Sequence, residues 1–449
     1  MCGEKFCERR VFGEPLFVAL RKKEIENSYE RAFPGNAFHG SILTLKRARH
    51  TRTPPFAKGI VRVYYYTMAN PLLSLVEQMK SFLSSAKGES VLGIDIGSSA
   101  IKVVQLKNKG GTAVLETYGE IALGPYGNTE IGRATNLPPE KITEALSDVI
   151  REANVTAKSA ALSIPFSASL ISVIKMPAVA RKQLSTMVPI EARKYIPVPI
   201  AEVALDWFEI PEEERIETLG ANEAPAAPAV PSGSIDVLLV AIHNDVIGKY
   251  QKIVQDAGLP PSLLEIEVFS TVRAVLEHGI APLAIMDLGA ATSKLYIVEH
   301  GVVRESHIIN RGAQDVTLTI SKALGFSVAR AEELKRKYGI AGSTEPDAAK
   351  LKDISRISLD FMFSEANRVL LSYQNKRRKN VSKVFLTGGG ASLKGLLPLA
   401  QEKLSIEVVL GDPFGKTETP AFLEGTLKEA GPEFAVAVGL ALRKLQESA

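Results

Sequence analysis

The sequence predicts an α/β protein built from two related halves, and three observations carry that reading. Apolar strands and amphipathic helices alternate along most of the chain. An Asp-bearing hairpin at residue 95 is echoed 192 positions later, at residue 287. A strand running into three consecutive glycines, Gly388 to Gly390, precedes a helix near the C-terminal end.

The 449 residues are too many for one ordinary domain and predict two or three. Hydrophobic residues make up 45% and charged residues 23%, as in an ordinary globular protein. The formal net charge of +4 is unevenly placed. Residues 1–67 hold 13 Lys/Arg against 6 Asp/Glu, which leaves 41 against 44 for the rest. A slightly acidic body has no general affinity for a phosphate backbone, so nucleic acid is not an expected partner. Cys2 and Cys7 both lie in the basic N-terminal segment, so the body has neither a disulfide nor a thiolate metal site. The most apolar stretch, residues 159–174, is interrupted by Pro165 and is shorter than the ~20 residues a bilayer needs. No secretory signal is recognised either.

Residues 1–67 show no sustained period and are expected to be a non-native or disordered extension. Met68 opens a more regular stretch, with Leu72, Val76, Met79 and Leu83 on one helical face. Three short strands are predicted over 91–123 and a helix over 139–153. A separate β-rich piece is predicted over 156–210, with one helix from Arg181 to about Tyr195. The run EAPAAPAVPSGS within 211–234 cannot pack as an element and is expected to be a loop. Strand Ile235–Ile242 and a helix over 245–257 follow, and with the helix over 434–445 they are assigned to the first lobe, 68–155 and 235–282. The second lobe is placed at 283–433. It holds a second meander over 283–309, helices over 315–324, 327–337 and 351–375, and two further strands at 384–386 and 407–409.

The chemistry is concentrated in the two hairpins. Gly93-Ile94-Asp95-Ile96-Gly97-Ser98-Ser99-Ala100-Ile101-Lys102 matches Ile285-Met286-Asp287-Leu288-Gly289-Ala290-Ala291-Thr292-Ser293-Lys294. Small residues at a hairpin tip let backbone N–H groups line a concavity that holds phosphate oxygens. An Asp just inside the tip is placed to hold Mg²⁺ through water. Gly97, Ser98, Ser99, Gly289 and Thr292 are the expected phosphate contacts, and Lys102, on the return strand, reaches the same oxygens. One Asp-x-Gly turn would be ordinary; two copies with matching flanks are not. The glycines Gly388, Gly389 and Gly390 allow close backbone approach to a flat nucleoside. Leu393 stands where a dinucleotide fingerprint needs its last glycine. Gly411 to Thr417 is one residue short of a Walker A loop and reads as a surface turn.

Two phosphate hairpins and a terminal adenosine motif, in this order, resemble the actin, Hsp70 and sugar-kinase superfamily, with its ribonuclease H-like, duplicated two-lobed fold. Within it, the string GIDIGSSAIKVVQL at 93–106 resembles the PilM family of type IV pilus assembly, related to FtsA. The resemblance covers about 68–449 and implies ATP and Mg²⁺ as cofactors. It makes 156–210 the FtsA-like 1C subdomain. It also implies Gly312 at the nucleotide, and Glu332 and Lys335 bordering adenine and ribose; as an i,i+3 pair these two would otherwise read as a solvated helical face. Glu267 stands where the superfamily often has a water-orienting residue. No strongly activated base is evident, so at most a slow ATPase is expected.

The partner that the resemblance implies is the cytoplasmic N-terminus of a PilN-type inner-membrane protein, with other pilus components and self-association as further contacts. A cytoplasmic protein held peripherally at the inner membrane is implied. The docking groove is expected between the 156–210 piece and the first lobe. Its walls would come from strands 160–164 and 170–174 and the helix bearing Met187, Ile190 and Tyr195. A sugar or small-molecule kinase on the same fold is the alternative of another class, as is an FtsA-like cell-division protein. The run Lys376-Arg377-Arg378-Lys379 reads as a helix C-terminus, where cations meet exposed carbonyls, or as a membrane-surface contact.

Overall fold

The computed structural model describes residues 17–19, 89–210, 233–277, 279, 281–342 and 344–448. The helix beginning at Met68, most of the segment 1–67 and nearly all of the loop 211–234 lie outside the described residues.

Two five-strand units carry the same topology. In the first, β2 (Ser90–Ile96), β3 (Ala100–Lys109) and β4 (Thr112–Ala122) form an antiparallel meander. Beside β2 run two parallel strands, β5 (Ser159–Ile164) and β9 (Pro261–Ile266). In the second, β10 (Leu283–Leu288), β11 (Ser293–Glu299) and β12 (Val302–Ile309) repeat the meander. Strands β13 (Lys383–Thr387) and β14 (Glu407–Leu410) run parallel beyond β10. Short strand β1 (Phe17–Ala19) pairs with the outer edge of β4.

The second turn of each meander is a two-residue connection. Gly110 and Gly111 have φ of +61° and +89°, and His300 and Gly301 have φ of +52° and +76°. Two successive positive φ values match the twist of the strands they join and favour glycine strongly.

A third, three-strand sheet has the order β6 (Ser169–Pro177), β8 (Ser234–His243), β7 (Val203–Ile210). It differs from the sequence expectation in two ways. Strand β5, expected inside the 156–210 piece, pairs with β2 and β9 in the first large sheet. Strand β8, expected in the first lobe, is the centre of the small sheet. Its residues face two cores alternately: Val237, Leu239 and Ala241 pack in the small core, and Leu238, Val240 and Ile242 pack in the large one.

Eleven helices are described. On the first lobe, α1 (Pro139–Glu152) buries Ile142, Ala145, Leu146 and Val149, a single stripe at helical spacing. Helix α2 (Arg181–Ala192) covers the small sheet with Leu184, Val188 and Ala192. Helices α3 (Asn244–Asp256) and α4 (Glu267–Val275) follow β8 and β9. The second lobe carries α5 (Ala313–Leu324), α6 (Val328–Tyr338), the short α7 (Pro346–Ala349), α8 (Leu351–Arg377) and α9 (Leu396–Leu404). Helix α10 (Glu424–Ala430) leads to α11 (Ala435–Ser448), which returns to the first lobe and buries Ala437, Val438 and Ala441 in its core. That core extends under the second lobe through Ile285, Tyr296, Val298, Val302 and Val303, so the lobes share an apolar base.

Candidate functional site

Above that base a cleft of about 650 Å³ opens between the two large sheets. Both hairpin tips line it, through Gly97, Ser98, Ser99, Gly289 and Thr292, together with Gly388, Gly389 and Gly390. The tips are fixed from behind. Ser98 and Ser99 carbonyls accept from Thr135 N at 2.8 Å and Leu123 N at 2.9 Å, and those of Gly289 and Ala290 accept from Ala313 N and Gln314 N at 2.9 and 3.0 Å.

The two aspartates stand near the ends of equivalent strands, β2 of one large sheet and β10 of the other, and both line the cleft. Asp95 accepts from Ser163 Oγ at 3.0 Å. Burial pushes its carboxyl up to about 6; nearby Glu267 adds to the rise, while Lys102 and Lys294 oppose it. Asp287 accepts from Lys294 Nζ at 3.2 Å. The same ammonium donates to Glu267 Oε2 at 2.8 Å, which joins the second lobe to the N-terminus of α4 on the first. Glu267 Oε1 accepts from Phe166 N at 2.6 Å. Each carboxylate oxygen thus accepts one hydrogen bond, and Glu267 ties the two lobes while lining the cleft. Burial pulls the Lys294 ammonium down, but Asp287 and Glu267 more than offset that and hold it well above its ordinary range.

Lys102 lines the cleft yet turns to Glu120, 3.3 Å away. The third motif closes over the second aspartate. Gly388 has φ +80°, and a Cβ there would lie 2.3 Å from Asp287 Oδ1; one on Gly390 would lie 2.8 Å from Leu288 Cβ. Only glycine lets this strand end pass so near the Asp.

Residues 93–445 match the profile of the type IV pilus assembly protein PilM. The chain belongs to that family. A solved PilM-PilN type IV pilus biogenesis complex is 23% identical with a TM-score of 0.63, covering 79% of this chain and 98% of that one. The cell division protein FtsA of Enterococcus hirae is 23% identical over 365 residues, 73% of this chain and 79% of FtsA. FtsA of Escherichia coli K12 is 24% identical over 259 residues, 51% of this chain and 60% of its own length. The fold is therefore the actin-like, duplicated α/β fold with an FtsA-like inserted subdomain.

In this PilM-family chain the pair Glu332 and Lys335 is buried, not a solvated face, with the ions 2.7 Å apart at the edge of the cleft. Thr317 Oγ1 donates to Glu332 at 2.6 Å, and Arg336 Nε does so at 2.7 Å. Burial would raise the Glu332 carboxyl, but Lys335 and these donors hold it below the ordinary range. Gly132, from the first lobe, packs against Glu332 and so brings the two lobes together at this rim. Gly312 does not line the cleft: it caps α5, and a Cβ there would lie 2.3 Å from Ala290 O.

Lys294, Glu120 and Glu433, which line the cleft, and Ser163, which donates to Asp95 from behind, were not singled out from sequence. Lys294 was visible as the echo of Lys102. Burial, together with the charge of Glu120, raises the Glu433 carboxyl to about 7. The segment 411–417 is not a surface turn. Phe414 is buried against Tyr118 and Phe434, and Lys416 Nζ donates to Arg273 O at 2.7 Å. The basic run 376–379 is a clasp: Lys376 meets Glu305 at 3.1 Å, Arg377 meets Asp236 of the small sheet at 3.1 Å, and Lys379 meets Glu299. As the sequence suggests, the run lies at a helix C-terminus, with Lys376 and Arg377 in the last turn of α8 and Arg378 as its C-cap; its cations are in addition paired with carboxylates across the fold.

No helix among the described residues is long and apolar enough to cross a membrane.

Proposed function

We propose that this chain is an ATP-binding, actin-like scaffold of type IV pilus assembly. The carrying observation is the facing pair of Asp-bearing hairpins with a glycine strand end beside them, all lining one cleft. The residues fit a nucleotide: the tips are built of small residues, two lysines reach the same space, and Gly388 to Gly390 leave room for close backbone approach. Asp95 and Asp287 are the residues that would hold Mg²⁺ through water, and the ion would supply charge neutralisation for the phosphates. Glu332 and Lys335 stand at the rim where the nucleoside would lie. No strongly activated base is evident, so hydrolysis is slow, below about one turnover per second.

The partner we propose is the cytoplasmic N-terminal peptide of a PilN-type inner-membrane protein, which places the chain in the cytoplasm at that membrane. Strand β5 is buried in the first sheet and cannot wall a surface groove. The supporting surface is the small subdomain, where β6 and β7 are edge strands and Ile190 and Tyr195 are 61% and 42% exposed. An extended peptide adding to a sheet edge takes its affinity from backbone hydrogen bonds and its specificity from side-chain contacts.

Calorimetry tests both halves. Asp95→Ala and Asp287→Ala each weaken Mg-ATP binding strongly while the chain stays folded; wild-type affinity in both variants would remove the nucleotide assignment. Ile190→Asp abolishes binding of the PilN-type peptide and leaves ATP binding intact. If the peptide binds that variant as tightly as the parent, docking lies elsewhere.

A further inference from the structure

Three carboxylates converge where a polyphosphate would enter: Asp95, Asp287 and Glu267. Three ionised carboxylates repel a phosphate chain, and a bound divalent ion is the common remedy. Here a side chain already stands among them. The Lys294 ammonium lies 2.8 Å from Glu267 of the first lobe and 3.2 Å from Asp287 of the second.

We propose that Lys294 is a specificity-determining residue, a resident cation that lets the cleft bind a nucleotide polyphosphate without a divalent ion. The inference rests on the nucleotide reading above. An ammonium has three N–H donors. Glu267 and Asp287 take two of them, and because Lys294 itself lines the cleft, the third serves a phosphate oxygen. The position is enforced from several sides. On β11, Lys294 stands opposite Asp287 on one neighbouring strand and opposite Ile308 on the other, so the aspartate is the only one of the two that can pair with it. Glu267 cannot swing away cheaply, because Phe166 N holds its other oxygen at 2.6 Å. Beneath, Phe166 and Tyr296 stack edge to face with centroids 5.8 Å apart, which keeps the lobes together at this point. Lys102 also lines the cleft, but its ammonium pairs with Glu120 of its own lobe at 3.3 Å and bridges no carboxylates of the two lobes.

The experiment is calorimetric titration of ATP into the full chain, once with Mg²⁺ and once with excess EDTA, for wild type, Lys294→Gln and Lys294→Arg. Wild type binds ATP in EDTA within about tenfold of its affinity in Mg²⁺. Lys294→Gln loses about 10- to 100-fold in EDTA, the worth of a charge-assisted hydrogen bond. It loses much less in Mg²⁺, because an ion held by Asp95 and Asp287 would then neutralise the phosphates in place of the ammonium. Lys294→Arg keeps binding in EDTA. Thermal denaturation checks that each variant is folded; if Lys294→Gln is not, the pair Glu267→Gln/Lys294→Gln removes both charges together and is tested for the same loss in EDTA. Wild-type binding that vanishes in EDTA overturns the role of Lys294 and leaves the nucleotide reading standing, as does Lys294→Gln binding like wild type in both buffers. Absence of ATP binding in either buffer overturns the nucleotide reading and this inference with it.

Discussion

The two lobes start from the same five-strand plan and end in opposite solutions at equivalent positions. Leu162 pairs with Ile94 as Leu386 pairs with Met286, so Ile164, Pro165 and Phe166 occupy the places of Gly388, Gly389 and Gly390. Both strand ends continue into a 3₁₀ turn, Phe166–Ala168 in one lobe and Gly389–Ser392 in the other. In the first lobe a buried ring closes the space, and its backbone N–H fixes Glu267. In the second, the absence of side chains lets the strand end pack directly against Asp287 and Leu288. One half of the duplication has become the floor and the other the cradle.

That contrast is tested most severely by adding atoms to one strand end and removing them from the other. Gly388→Ala places a Cβ on Asp287 at a φ of +80°, so it costs about 3 kcal/mol or more and abolishes ATP binding. Phe166→Ala empties a buried site and costs about 3 kcal/mol in urea unfolding. It leaves ATP affinity within a few-fold of wild type. If the two variants lose ATP affinity equally, floor and cradle are not separate functions.

The carboxyls differ in the same way, and pH reads the difference. Asp95 and Glu433 titrate at about 6 and about 7 in the folded protein, above their ordinary values, so the folded state holds their protons longer than the unfolded chain. Their stabilising contribution is complete below about pH 4 and is lost as pH rises through 6 and 7. Between pH 5 and pH 8 the ligand-free protein therefore loses about 1–3 kcal/mol relative to Asp95→Asn or Glu433→Gln, at up to about 1.4 kcal/mol per pH unit. Chemical denaturation at several pH values measures it. Parallel profiles for wild type and both variants would show that neither carboxyl is held protonated by the fold.

How much of this could be read beforehand depends on whether the determinant is local. The meanders, the Asp-bearing tips and the glycine strand end are short-range patterns, and each lies where the residues placed it. Strand β8 was misassigned because residues 235–242 are apolar on both faces, so no period distinguishes a strand buried between two cores from one in a parallel sheet. Helix α3 after it completed a plausible α/β unit. The clasp at 376–379 was opaque for another reason: its partners Asp236, Glu299 and Glu305 are 70 or more residues away, and a charge run alone does not name them. Lys294 lay between these extremes. Its type and register were legible in the repeat, but not the direction in which it points.

That direction gives the smallest and most specific test. In both meanders the lysine stands opposite the aspartate, Lys102 across from Asp95 and Lys294 across from Asp287. On the third strand the neighbours differ: Glu120 faces Lys102 and Ile308 faces Lys294. A lysine with a carboxylate on either side divides between them; one with a carboxylate on a single side does not. Burial favours lowering the Lys102 ammonium, yet Glu120, Glu433 and Asp95 together hold it above its ordinary value, with Glu120 the strongest of the three. Glu120→Leu gives the first lobe the arrangement of the second. Lys102 then turns to Asp95 and the cleft, a carboxylate leaves the phosphate end, and ATP affinity rises about fivefold, near 1 kcal/mol. The reciprocal Ile308→Glu draws Lys294 away from Asp287 and lowers affinity by a similar factor. Titration of ATP into both variants settles the matter: if they change affinity in the same direction, the residue on the third strand does not decide where the lysine points.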